Sequence, residues 1–481
     1  MKIHPVVPKL LAVIGIVGLL TLALARVSAL VEERHERLRE AERSVEQSQA
    51  GRQALAGPVL VSHCTEQWDS VVGDGADRKS LAASREFMLT AAPSRLAVQA
   101  DASLEPRWRG LFKVNTYAGK ATVQAHWNSL AALSPKGEHA GSRVACAAPV
   151  LMVALSDARG IRHARITAAG QALAVRSGTR HPSHPRGFHA VLPELPRNAD
   201  APFSAELALE LVGTAALGFA PVADDTRVQL TANWPHPSFG GRFLPVTREV
   251  RHDGFSATWQ VSSLATTAPD DFARRALLCA PHGSTPDMQA GASRDRRALR
   301  PETKGVGTAG CIEAFDVAFI DPVNPYSLSD RAIKYGLLFI GLTFAAVGMI
   351  EVLRQLRVHP VQYLLVGCAL SIFFLLLLAL SEHLPFGESY AIAAAACVAL
   401  LAFYARHLLG GWRAGLAFGG GVAALYGALY LLLQLEQTAL ILGAVLLFAV
   451  LAGVMVATRR IDWYGLTRSE PAGAPLHNRA S

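Results

Sequence analysis

The spacing of long apolar runs constrains this chain more than any other feature. One run covers residues 10–25, about three hundred mostly polar residues follow, and five more runs crowd into the region 335–458. A hydrocarbon core about 30 Å thick needs roughly 20 apolar residues per spanning helix. The pattern therefore predicts six membrane spans, at 7–27, 335–353, 361–381, 388–405, 414–433 and 438–458. The polar middle, which holds nearly all the charge and most of the 26 prolines, must then fold outside the bilayer.

Loop charges give the orientation. Lys2, Lys9, Arg354, Arg357, Arg406, Arg413, Arg459, Arg460 and Arg468 flank one set of span ends, whereas loops 382–387 and 434–437 carry no Lys or Arg. Basic loops stay cytoplasmic. Both termini are thus expected on the cytoplasmic side, with the large domain on the outside. Residues 1–30 also have the shape of a signal peptide, with Val27-Ser28-Ala29 as a cleavage site. The apolar stretch is long for such a peptide, and a retained anchor is the reading its length favours. The net charge of +8 is scattered, with no basic run interleaved with aromatics, so nucleic-acid binding has no footprint.

Residues 30–50 place Glu and Arg one helical turn apart around Leu30, Val31, Leu38, Ala41 and Val45, which predicts a helical stalk. It is either a solvated helix or a coiled-coil contact with a second copy. Beyond it, short runs such as 58–61, 121–127, 149–155, 206–212, 228–233, 255–261 and 314–320 are bounded by Gly, Pro, Asp or Ser. Many such runs predict a β-rich, sandwich-like domain. The expected organisation is mixed: anchor 1–29, stalk 30–56, periplasmic β-rich domain 57–327 with a soft internal boundary near 177–196, five-helix transmembrane bundle 328–458, and cytoplasmic tail 459–481. Residues 265–312 read as a long basic loop.

Four cysteines lie in the polar region, and an oxidising compartment allows three pairings among them. Cys279–Cys311 would close the loop, and Cys64–Cys146 would join strand edges. Cys368 and Cys397 fall within spans and are expected to be reduced.

Several stretches in order along nearly the whole chain carry a family resemblance. They are Gly57-Pro58-Val59-Leu60, Ser156-Asp157-Ala158-Arg159-Gly160-Ile161, Leu230 through Asn233-Trp234-Pro235-His236-Pro237-Ser238-Phe239, Leu328 through Asp330-Arg331 to Tyr335, His359-Pro360-Val361-Gln362 through Gly367, Leu380-Ser381-Glu382-His383, and Ile461-Asp462-Trp463-Tyr464. Together they resemble the CreD family of inner-membrane proteins, associated by name with cell-envelope integrity. The resemblance implies one N-terminal span, a periplasmic domain and a C-terminal helical bundle, and it implies no catalytic residue or cofactor. The loop 280–312 and the external cysteines depart from the family pattern.

Candidate functional residues can be weighed singly. The two prolines around His236 stiffen a segment that either caps the core with Trp234 and Phe239 or presents Trp234 and His236 for recognition. Asp157 and Arg159 suit a structural turn. His181, His184 and His189 could bind zinc, but their spacing matches no common zinc motif. Asp330, Arg331 and Lys334 stand where the domain meets the second span, as headgroup anchors or as a coupling joint. Glu382 and His383 lie at a span rim, where a proton relay is the sharper alternative to simple solvation. Arg354 is the expected partner of Glu351. Gly411, Gly415 and Gly419 form a small-xxx-small stripe for helix packing, and Trp463 and Tyr464 an interfacial anchor. No hydrolase, zincin or P-loop motif is present. The sequence therefore favours a non-enzymatic envelope protein, with no catalytic, metal or cofactor residue assigned. Its partners would be membrane lipids and an envelope protein or peptidoglycan. The alternative is a membrane enzyme or a lipid-handling or transport protein using Asp330, Arg331, Glu382 and His383. The oligomeric state is open.

Overall fold

The computed structural model describes residues 6–72, 79–192, 200–279, 281, 311–321, 325–354, 358–435 and 439–459. The predicted basic loop within 282–310, the anchor Asp462-Trp463-Tyr464 and the cations Lys2, Arg357, Arg460 and Arg468 lie outside the described residues. The chain divides into two compact units, Met1–His35 with Val323–Ser481, and Glu36–Pro322.

The first element, α1 (Val6–Ser48), is one unbroken helix of 43 residues. The predicted anchor and helical stalk run as one helix, the Glu/Arg ladder continuing it where the apolar run stops. The helix ends at Ser48 and strand begins at Gln53, so residues 53–56 are sheet rather than stalk.

The strands are β1 (Gln53–Val72), β2 (Lys79–Ala91), β3 (Arg95–Arg109), β4 (Phe112–Trp127), β5 (Arg143–Cys146), β6 (Val150–Leu155), β7 (Ile161–Ala168), β8 (Gln171–Leu173), β9 (Val175–Ser177), β10 (Gly187–Val191), β11 (Phe203–Thr214), β12 (Ala216–Ala220), β13 (Asp225–Ala232), β14 (Pro237–Gly241), β15 (Thr247–Arg251), β16 (Gly254–Ser262) and β17 (Phe315–Phe319), with a short helix α2 (Ala268–Ala273) before the last. One sheet runs β14-β17-β12-β1-β6-β10-β9, with β2 and β5 also on β1; the other runs β15-β16-β13-β3-β4-β11-β7-β8. The soft boundary near 177–196 is not a boundary, since β10 pairs with both β6 and β9 inside one sheet.

The two sheets enclose a common core. Leu55, Leu60, Leu151 and Val153 from the first meet Leu96, Val98, Val123 and Leu207 from the second. Alternation along β11 fits a sheet wet on one side, with every second residue buried through most of its length. The unbroken apolar run of β6 has another cause. Leu151, Val153 and Leu155 face the sandwich, while Val150, Met152 and Ala154 join a second core with Phe272 of α2 and Ile312. Cys64 and Cys146 lie opposite each other on β1 and β5 and are bonded, as are Cys279 and Cys311.

The membrane unit continues with α3 (Pro325–Lys334), α4 (Gly336–Arg354), α5 (Pro360–Ser381), α6 (Phe386–Leu408), α7 (Trp412–Gln434) and α8 (Ala439–Thr458). Among the described residues four helices are long and apolar enough to cross a membrane: α1, α5, α6 and α7. The pair α3–α4, bent by 43°, makes a fifth, and α8 has a shorter apolar stretch, Gly443–Val456. The His359-Pro360-Val361-Gln362 stretch is a helix start. His359 Nδ1 accepts from Val361 N, Gln362 Oε1 accepts from His359 N, and Pro360 fills the first turn, where its missing N–H costs nothing.

Within this unit α1 is seated on the bundle. Leu20 and Leu24 are buried, and a Cβ on Gly367 would lie 2.1 Å from Leu20 Cδ1. Glu351 pairs with Lys9 of α1 and also accepts from Tyr363 Oη at 3.0 Å, which corrects the expected Arg354 partnership. Arg354 follows Glu351 by three residues, but Lys9 reaches the same carboxylate from another helix. The glycine stripe serves packing within the bundle: a Cβ on Gly415 or Gly419 would collide with α6 at Arg406 or Ala402, while Gly411 has open space.

Candidate functional site: the two ends of the β domain

The chain arrives in the β domain from α1 and leaves it after β17. Two of the resembling stretches converge on these points. At the arrival, Asp157 precedes a tight turn and its carboxylate accepts from Arg159 N at 3.1 Å and Gly51 N at 3.0 Å. The Arg159 guanidinium binds that carboxylate at 2.6 Å and turns its remaining N–H groups onto the carbonyls of Glu46 and Gln47. Those are among the last carbonyls of α1, which have no partner within the helix. The expected Asp–Arg turn is thus also a helix C-cap. Ser156 completes it: its Oγ accepts from Ala54 N at 2.9 Å and donates to Arg52 O at 2.7 Å. Gly160 is required here, because a Cβ would lie 2.4 Å from Val212 O and 2.5 Å from Gln53 Nε2. Burial pushes the Asp157 carboxyl up, but the Arg159 side chain and the two backbone donors outweigh it and hold the group below its ordinary range.

At the departure, the Asn233–Phe239 segment grips the end of β17. Pro237 to Gly241 pair along the whole strand from Phe319 to Phe315. Trp234 Nε1 donates to Ile320 O at 3.1 Å and to His236 O at 3.0 Å. Lys113 Nζ stands 5.4 Å above the Trp234 ring and 3.4 Å from Asp321 Oδ1, and Asn115 Nδ2 donates to Phe319 O at 3.0 Å. Asn233 Oδ1 accepts from Leu104 N at 2.7 Å. Phe239 packs edge-on to Phe255 and Trp259 in the core. Trp234 is thereby committed to the strand end, while His236 is exposed.

The other candidates divide. Glu382 pairs with Arg34 of α1 at 3.2 Å, and Asp330 with Lys334 one turn along α3 at 2.7 Å. Each of these two carboxylates thus has a cation outside the four rim residues. His383 is exposed just past α5. His181, His184 and His189 are all buried, and no group of three potential metal ligands occurs among the described residues. Instead His184 stacks on Phe272 of α2 at 5.0 Å, and His181 lies tilted to the same ring at 5.2 Å. Burial pushes His181 down to about 4, helped by His184, Arg275 and His63, and burial lowers His184 too.

Sequence reasoning missed Glu66. Its side chain has 0% exposure and accepts from the backbone N–H of Glu138 and His139 at 2.8 and 2.9 Å and from Arg85 at 2.8 Å. The His139 N–H leads the groups that hold this carboxyl at about 2. His139 stacks on Trp68 with ring centroids 3.7 Å apart. The one available signal was its place two residues after Cys64.

Comparison with solved structures yields remote matches. A crystal structure of an M1 zinc metallopeptidase from Deinococcus radiodurans matches at 11% identity over 35% of this chain and 38% of that one, with a TM-score of 0.18. A substrate-bound mutant of that peptidase matches with a TM-score of 0.16 over the same shares. Values this low carry no argument about this chain. Among curated proteins, the "Inner membrane protein CreD" of Escherichia coli (strain K12) is 32% identical over 464 residues, 96% of this chain and 95% of that protein. The family model described as "Inner membrane protein CreD" matches residues 5–464, and the chain belongs to that family.

Proposed function

We propose that the protein is a non-enzymatic inner-membrane component serving cell-envelope integrity, whose β domain lies on the periplasmic side and binds an envelope partner. Partner binding biases the membrane helices through the two chain connections. The observation that carries this reading is the use of the resembling stretches at both connections: Asp157–Arg159 caps α1, and Trp234 holds the end of β17. Both grip backbone rather than presenting reactive groups to a pocket. The basic loops on one set of span ends support the orientation. So do the two disulfides, which belong to an oxidising compartment. An envelope protein or peptidoglycan is the partner class, with membrane lipids around the bundle.

The test is complementation in cells that lack the protein and show an envelope defect. Trp234→Ala and Arg159→Ala should each fail to restore the envelope while the full chain accumulates in the membrane. A photo-crosslinker at exposed His236 should capture an envelope component. Normal complementation by both variants would refute the coupling. A hydrolase or transferase activity of the purified chain that Glu382→Gln abolishes would refute the non-enzymatic reading.

A further inference from the structure

The β3–β4 hairpin ends in a tip whose composition no part of the fold explains. Arg109 and Phe112 are the last paired residues, and Gly110 and Leu111 turn the chain, with Gly110 at φ +61°. At this tip Trp108 is 65% exposed and Leu111 49% exposed. Arg107 and Arg109 flank Trp108 and are exposed as well. The sole carboxylate between residues 105 and 113 is Glu105, 3.9 Å from Arg107. Lys113, opposite Trp108, is held by Asp321 and the Trp234 ring. An indole and a leucine held out in water at the point of a narrow hairpin, between two guanidinium groups, are an unfavourable surface for a soluble face.

The same set suits a bilayer surface. Tryptophan concentrates at the interface between headgroups and acyl chains, and arginine keeps its charge in the headgroups while its stem lies on apolar matter. The base of the hairpin is packed within the β unit, Phe112 and Val114 against Ala41 and Val45, so the apolar exposure is confined to the tip.

We propose that the tip of the β3–β4 hairpin, Arg107 to Leu111, contacts an anionic lipid surface, with Trp108 and Leu111 at the headgroup boundary and Arg107 and Arg109 on the phosphates. The contact does not depend on which envelope partner the β domain binds.

The experiment uses the full chain reconstituted into bilayers containing phosphatidylglycerol, with or without bromine at positions 6 and 7 of the acyl chains. The difference in fluorescence between the wild-type chain and Trp108→Phe reports Trp108 alone. A blue-shifted difference spectrum is expected, quenched at least twofold by the brominated lipid. Each basic residue near an anionic surface is worth about a fivefold change in partition, so R107Q/R109Q should reduce the quenching markedly. Leu111→Asp, a change at an exposed turn, should do the same. A red-shifted, unquenched Trp108 overturns the proposal. A blue-shifted Trp108 that bromine does not quench also overturns it, because that marks a protein partner. Blue shift confined to bilayers holding two copies overturns it in favour of contact between copies. None of these outcomes bears on complementation through Trp234 and Arg159.

Discussion

Arg159 shows how a modest side chain fixes a large element. Its guanidinium is about half exposed, so its pairing with Asp157 is screened and counts for little by itself. Its bonds to Glu46 and Gln47 matter more, since they satisfy carbonyls at the end of α1. Arg159→Ala should cost about 1–2 kcal/mol, read as a lower urea midpoint of the β domain in the detergent-solubilised full chain. Arg159→Lys should recover little, because one ammonium cannot span both carbonyls and the carboxylate. Trp234→Phe keeps the ring over Lys113 and removes the donor to Ile320; it should cost about 1 kcal/mol, and Trp234→Ala more.

Acid sensitivity also belongs to single residues. His181 is held at about 4 against an ordinary 6.5, so the unfolded chain binds more protons between those values. Stability from this group is full above pH 6.5 and declines as pH falls toward 4. Glu66, held at about 2 against 4.5, adds a second decline from pH 4.5 downward. The urea midpoint against pH should therefore show two stages. His181→Phe should flatten the upper one and Glu66→Gln the lower; a profile unchanged by both would contradict the assignments.

Among elements, legibility followed the simplicity of the cause. The strands β13 and β16 stand close to their sequence-predicted runs, because alternation reports a sheet wet on one face. The long β1–β2 hairpin was missed beyond residue 61, since its outer half is polar on both faces and leaves no period to read. The spans in α1, α5, α6 and α7 were legible from apolar length alone. The α3 helix was not, since Pro325–Lys334 is short and polar on average, although Tyr326, Ser329, Ala332 and Ile333 share a buried face. Of the candidate site, the turn at Asp157 and the capping role of Phe239 could be read from residue types. The reach of Arg159 to α1 and of Trp234 to β17 could not, because each joins segments far apart in the chain. The α1 seat supports a prediction at this scale. Gly367→Val would push on Leu20, so it should lower the thermal stability of the membrane unit in detergent, and Leu20→Ala in the same chain should restore part of it.

Over the whole molecule, α1 is tied to the bundle at two levels, Lys9 to Glu351 and Arg34 to Glu382. The roughly 25 residues between the two cations rise about 37 Å in a helix, close to a hydrocarbon core of about 30 Å plus part of its headgroup layers. The two pairs are thus set apart along α1 by about the thickness of a bilayer. The topology can be tested with reporter fusions: a periplasm-active reporter should work in loop 382–387 and fail in loop 406–413, and the reverse pattern would invert the assigned orientation.

The strand order has a consequence for how the protein is made. The first strand residues, Gln53–Ala56, pair in parallel with Leu217–Ala220, and that strand in turn needs Phe315–Phe319 on its far side. During synthesis at about 5–20 residues per second, the partner of β1 follows it by roughly 160 residues, so this edge stays open for about 10–30 seconds. The strand emerges first yet closes late, next to a helix already committed to the bilayer. A nascent chain of this design has to be shielded from pairing with its neighbours until residue 319 has been made, so folding is timed by the last strand rather than the first.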